Sequence, residues 1–221
     1  MNLEAVLFDL DGTLVDTAPD FIAVLNAMRV DHQQDPLPES TIRNTVSGGA
    51  REMVKLAFGG QPGEPKFDHL LQEFLQRYGD CVYSGQSKSV LFPGFDSLLA
   101  TFSAQGIAWG IVTNKPARFA EALMPSLNIT PASLVCPDHV REPKPAPEAL
   151  LLACQQLHAE PCRTIYLGDH ERDIVAGRNA NMVTIAVAWG YFDEPDPLTA
   201  WQADHLVHTT QQLQQLLPTL F

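Results

Sequence analysis

The chain has 221 residues, and its 14 Lys and Arg stand against 26 Asp and Glu, a formal charge of −12. So acidic a surface excludes non-specific binding to nucleic acid or anionic membranes, which need a basic face, and 45% hydrophobic residues exclude a wholly disordered chain. No run approaches the roughly 20 apolar residues that span a bilayer, no basic leader is apparent and the four cysteines are widely spaced, so the expectation is a cytoplasmic protein with free thiols.

Val6-Leu7-Phe8 is a short apolar run that stops abruptly at acid, the pattern of a strand buried on both faces of a parallel sheet. Similar runs follow at Ile107–Val112, Leu134-Val135, Thr164–Leu167 and Val183–Val187. Helical spacing lies between them: Leu98, Leu99 and Phe102, then Phe119, Leu123 and Met124, then Leu150, Leu151, Cys154 and Leu157. This alternation predicts an α/β fold with a doubly wound, Rossmann-like parallel sheet. From Thr17 to about Val90 the alternation fails. Phe21, Val24, Leu25 and Met28 keep helical spacing, as do Phe67, Leu70, Leu71, Phe74 and Tyr78, and glycines and prolines break the segment into several helices. The expected organisation is a core of residues 1–16 and 91–221 with a helical insert, 17–90, after the first strand.

Four polar clusters fall at or just beyond a strand's carboxyl end or on the loop that follows one. The first, Asp9-Leu10-Asp11-Gly12-Thr13, reads either as an Asp-Gly turn or as a functional pair. Two carboxylates after a buried strand are costly unless something uses them, and a hard cation such as Mg²⁺ suits such oxygens. In Gly110–Lys115, Thr113 either caps the following helix or, with free main-chain N–H groups, holds a phosphoryl oxygen. Lys144 lies between Pro143 and Pro145, which stiffen the backbone and aim the ammonium. Asp169 ends the strand Thr164–Leu167, and Asp173 follows one turn later. In a parallel sheet these ends share one rim, so the four clusters can converge.

This order of motifs resembles the haloacid dehalogenase superfamily of phosphohydrolases, in its phosphoglycolate phosphatase-like branch, with the insert where that family carries a type-one cap. The resemblance implies a phosphoric monoester hydrolase in which Asp9 is the nucleophile and Asp11 the acid and base. Thr113 and Lys144 would hold the transferring group, with Thr13 and Asn114 beside the substrate. Mg²⁺ would be held by Asp9, the main-chain carbonyl of Asp11 and Asp169, with Asp173 supporting from behind. His170 departs from the small polar residue common at its position. In the insert, Ser47-Gly48-Gly49-Ala50-Arg51 precedes a helix start, where main-chain N–H groups and a guanidinium would meet a carboxylate; the alternative is an ordinary loop with a solvated arginine. This run and Cys136–Val140 are similar to the phosphatases that act on N-acetylmuramic acid 6-phosphate in bacterial cell-wall recycling. The expected partner is therefore a small phosphorylated metabolite, an amino sugar phosphate or 2-phosphoglycolate, acted on by a monomer or homodimer. A phosphosugar mutase would share Asp9, Asp11 and the insert but exclude water from the aspartyl phosphate. A receiver domain would be shorter and have no use for Asp11 as an acid.

Overall fold

A computed structural model describes residues 3–192 and 198–220; residues 1–2 and 221, at the ends of the expected core, and 193–197 within it lie outside the described residues. The chain runs from β1 (Ala5–Phe8) through β2 (Val15–Asp16) into four helices, α1 (Ala18–Asp31), α2 (Glu39–Thr45), α3 (Ala50–Phe58) and α4 (Pro65–Tyr83). It returns by β3 (Val90–Leu91) to α5 (Phe95–Gln105), β4 (Ala108–Val112), α6 (Ala117–Leu127) and β5 (Ser133–Val135). Then come α7 (Glu148–Leu157), β6 (Thr164–Gly168), α8 (Glu171–Asn179), β7 (Val183–Val187), β8 (His205–Val207) and α9 (Thr210–Leu216).

Six strands form one sheet in the order β5-β4-β1-β6-β7-β8, and every pairing is parallel. The first strand is thus central, with Phe8 opposite Ile111 on one side and Leu167 on the other. Its side chains alternate between layers. Val6 and Phe8 join the larger core, where Phe8 meets Phe95 of α5 edge to face at 5.6 Å, while Leu7 packs with Leu150, Ala153 and Tyr166 beneath the opposite face. The strand order turns back at β1, and a sheet of this kind binds ligands outside its carboxyl ends at that point.

Two short pieces of sheet departed from the reading of the sequence. Val15 pairs with Leu91 and Asp16 with Val90 in an antiparallel ribbon at the foot of the helical insert, and β8 forms the sheet's edge beside β7. Two- and three-residue strands carry too few side chains to show a period. Within the insert, Phe21 of α1 stacks on Tyr78 of α4 with ring centroids 4.3 Å apart. Leu151, expected on the apolar stripe of α7, is instead exposed. All four cysteines are free.

Candidate active site

The polar clusters meet at the carboxyl rim of the sheet. Asp9 directly follows β1, and its N–H donates to the Leu167 carbonyl at 2.9 Å, which extends the ladder by one residue and fixes the carboxylate between β4 and β6. Thr113 stands one residue past β4, held by its N–H on the Val135 carbonyl at 3.0 Å. Lys144 is 4% exposed; its Nζ lies 2.9 Å from Asp9 Oδ1, 2.7 Å from Asp173 Oδ1, 3.0 Å from the Val112 carbonyl and 2.6 Å from the Tyr166 hydroxyl, four oxygens that share its three N–H groups. Asp173, in the first turn of α8, also accepts the His170 N–H at 3.2 Å, so His170 and Asp173 close a reciprocal cap at that helix start. Asp169, 1% exposed, accepts from Tyr191 N at 2.9 Å, Ser47 Oγ at 2.8 Å and Thr13 Oγ1 at 3.2 Å.

Asp9, Asp169 and Asp173 each offer a carboxylate oxygen, and these atoms lie within 4.8 Å of one another. Burial raises the pKa of Asp169, and its neighbours Asp9 and Asp173 raise it further. Burial also raises Asp9, against the opposing pull of Lys144. Lys144 is desolvated too, yet Asp173 and Asp9 hold its pKa above the ordinary value. With all four ionised, Asp9, Asp11, Asp169 and Asp173 carry two more charges than Lys115 and Lys144 supply. An all-oxygen set with that surplus fits a hard divalent cation, which would restore the ionised state of the carboxylates.

A cavity of about 400 Å³ opens in front of Asp9 and Asp11. Thr113, Asn114, Lys115, Lys144, His170 and Arg172 line it from the sheet side, and Ser47, Gly48, Gly49 and Arg51 from the insert. An apolar wall of Phe21, Val46, Met53, Leu71, Leu75 and Tyr78 completes it.

Three of the expected substrate-binding residues are engaged within the protein. Thr13 is fully buried behind Asp169 and is absent from the cavity lining, because its hydroxyl donates to that acid. Asn114 borders the cavity, but its amide donates to the Lys144 carbonyl at 2.9 Å and so fixes the lysine loop. The Gly49 N–H is not offered to a ligand; it donates to the Val46 carbonyl at 2.9 Å, and Gly49 takes φ +84° to begin α3. Asp138, in the Cys136–Val140 run, accepts from Ala117 N at 2.8 Å and so caps α6.

The sequence did not reveal the contacts made by the seated insert. Ser47 crosses from the insert to Asp169, and Arg172 Nη2 donates to the Ser47 carbonyl. Tyr191 accepts from the main-chain N–H groups of Thr17 at 2.7 Å and Ala18 at 3.0 Å and donates to Asp16 Oδ1 at 2.7 Å. Lys115 reaches Asp11 Oδ1 at 2.9 Å, and Thr17 Oγ1 donates to the same oxygen at 2.6 Å.

Residues 6–187 match the model of the family described as haloacid dehalogenase-like hydrolase. The chain is 48% identical over 220 residues to the N-acetylmuramic acid 6-phosphate phosphatase of Pseudomonas aeruginosa, covering 98% of this chain and 96% of that one. It is 40% identical over 212 residues to a phosphoglycolate phosphatase of Xanthomonas campestris pv. campestris, covering 95% and 94%. The crystal structure of a predicted phosphoglycolate phosphatase from Haemophilus somnus superposes with a TM-score of 0.84 over 98% of both chains at 22% identity, a likeness of fold.

Proposed function

Because the chain belongs to the haloacid dehalogenase-like hydrolase family and is a phosphoric monoester hydrolase, we propose that it dephosphorylates N-acetylmuramic acid 6-phosphate in peptidoglycan recycling. Asp9 attacks phosphorus in line, the ester P–O bond breaks, and the departing sugar oxygen takes a proton from Asp11. Water then attacks the phosphorus carried on Asp9, gives its proton to Asp11 and releases inorganic phosphate and the Asp9 carboxylate. Thr113 and Lys144 hold phosphoryl oxygens whose charge spreads in the transition state. Asp9, the main-chain carbonyl of Asp11 and Asp169 would hold Mg²⁺, with Asp173 and Lys144 bracing Asp9 from behind. When bound, the ion would supply positive charge against the phosphoryl oxygens and keep Asp9 and Asp169 ionised. Residues 17–90 act as a cap that carries the recognition of the rest of the substrate.

The observation that carries the substrate reading is the cavity. Its volume of about 400 Å³ lies in the range of sites that enclose a whole small ligand, and the two-carbon body of 2-phosphoglycolate would leave most of it empty. A sugar ring with lactyl and acetamido groups fills such a space, its methyl groups against the Phe21 and Tyr78 wall and its carboxylate within reach of Arg51. The name of the Pseudomonas relative agrees with this reading. A phosphate-release screen with Mg²⁺ tests it over N-acetylmuramic acid 6-phosphate, 2-phosphoglycolate, hexose phosphates and nucleotides. The expected result is the highest kcat/KM for the first, by about tenfold or more. A preference for 2-phosphoglycolate would overturn the substrate and leave the reaction class intact.

A further inference from the structure

Lys115 follows Thr113 and Asn114 on the loop after β4, yet its ammonium is carried back to the acid of the first loop. Its side chain is 4% exposed, and Nζ lies 2.9 Å from Asp11 Oδ1. The rest of that ammonium faces aromatic rings, 4.6 Å from the centroid of Phe21 and 4.7 Å from that of Tyr78. Both rings belong to the helical insert, on α1 and α4, and they stack on each other. The lysine N–H also donates to Thr113 Oγ1 at 3.1 Å, which fixes where its side chain departs.

A desolvated ammonium is costly unless it is paired. Here the pairing has two sources, one carboxylate from the sheet and the stacked Phe21–Tyr78 pair of the insert, beside which Nζ lies about equally far from both rings, and that pair is present only while the insert is seated. A cation over aromatic faces gains roughly 0.5–2 kcal/mol, more as water is removed. Asp11 in turn has one oxygen occupied twice, by Lys115 and by Thr17. That occupancy sets the rotation of the carboxyl group and leaves Oδ2 as the oxygen to exchange a proton with the substrate.

We propose that Lys115 is a positioning residue that holds Asp11 in its proton-transferring orientation only while the Phe21–Tyr78 face of the insert is seated against it. This rests on the reading of Asp9 as nucleophile and Asp11 as acid. Seating of the insert around a bound substrate and aiming of the acid thereby become one event, and an unseated insert leaves Asp11 without its guide.

The test separates the leaving group that needs a proton from one that does not. Single-turnover quench experiments measure phosphorylation of Asp9 by N-acetylmuramic acid 6-phosphate and by 2,4-dinitrophenyl phosphate, in wild type, Lys115→Met, Lys115→Arg and Phe21→Leu. Lys115→Met is expected to slow phosphorylation by the sugar phosphate about 100-fold, as loss of general acid catalysis does, while dinitrophenyl phosphate still reacts within about threefold of wild type. Lys115→Arg restores at least about tenfold of the lost rate, and Phe21→Leu shows the same leaving-group bias at about a tenth of its size. Equal losses with both substrates overturn the proposal, since they place Lys115 on the phosphoryl group or in the general scaffold. So does an unchanged sugar phosphate rate. A Phe21→Leu enzyme without the bias removes the link to the insert. A wild type that shows no phosphate on Asp9 with either substrate sinks the aspartyl-phosphate reading itself, a result distinct from any of these.

Discussion

Asp169 is confined as closely as any side chain in the site. A Cβ added at Gly190 would stand 2.1 Å from the Asp169 Cβ, and one at Gly12 2.2 Å from its Oδ2. Gly12 also sits at φ +85°, where other residues are strained. Gly190→Ala is therefore expected to push Asp169 off its donors while the sheet persists. Titration calorimetry should show Mg²⁺ affinity falling by about tenfold or more, the scale seen when a ligand's support is lost, with circular dichroism unchanged. Arg51 belongs to the same scale. It is exposed and borders the cavity from α3, so Arg51→Ala should raise KM for carboxylate-bearing substrates about tenfold while glucose 6-phosphate barely responds. Equal shifts in steady-state kinetics would refute the clamp. Asp9, Asp11, Thr113, Asp169 and Asp173 were legible in the sequence because each stands at or soon after a strand end, where polar residues interrupt buried apolar runs, and Lys144 because two prolines flank it on the long loop after β5. Lys115 stood in plain view beside Thr113, but nothing in its spacing tells that it reaches an acid 104 residues earlier.

Among the elements, the start of α1 departs from the usual local solution. Thr17, its capping residue, makes no cap bond because its hydroxyl goes to Asp11; the Tyr191 hydroxyl, from beyond β7, accepts the first helical N–H groups instead. Behind it, buried Asp20 of α1 accepts from Ser87 Oγ at 2.5 Å, Lys88 N at 2.6 Å and Ser89 Oγ at 2.6 Å, which fastens the returning strand of the insert. Both chain crossings are thus tied to α1. Tyr191→Phe leaves the Thr17 N–H without its acceptor and the Ala18 N–H with only its longer bond to Asp16 Oδ1 at 3.3 Å, and should cost about 1–3 kcal/mol, read as a fall in denaturation midpoint, with faster proteolysis within residues 84–89. An unchanged midpoint would show that the hydroxyl is not what secures the hinge. The long helices could be read from periodicity and the five buried strands from their apolar runs. The β2–β3 ribbon and the Tyr191 cap could not, since each joins segments whose pairing depends on the completed sheet.

For the molecule as a whole, the decisive quantity is charge. Four acids gather around two lysines, and their surplus of two is part of the chain's net charge of −12, so without a bound cation the site works against its own repulsion. A divalent ion at 100 times its dissociation constant adds about 2.7 kcal/mol, which for a chain of this length raises Tm by roughly 5–10 °C. Scanning fluorimetry with and without EDTA should show this shift, and Asp169→Asn should abolish it while being no less stable than the wild type in EDTA. A wild type whose Tm ignores Mg²⁺ would argue against a cation at the acidic trio. The alternation of strands and helices announced the sheet and its rim. The seating of the insert escaped the sequence, because Ser47 on Asp169 and Arg43 on Asp16 are contacts between surfaces that carry no local pattern.

The central place of β1 also has a consequence for biosynthesis. The strand leaves the ribosome before both of its neighbours, Ala108–Val112 and Thr164–Gly168. Until the latter has emerged, one flank of β1 has nothing to pair with, and the apolar stretch that ends at Asp9 waits unpaired on that side. The insert, whose helices contact one another locally, has ample time to fold meanwhile. A nascent chain stalled before Thr164 would therefore carry its folded helices beside a central strand still bare on one side.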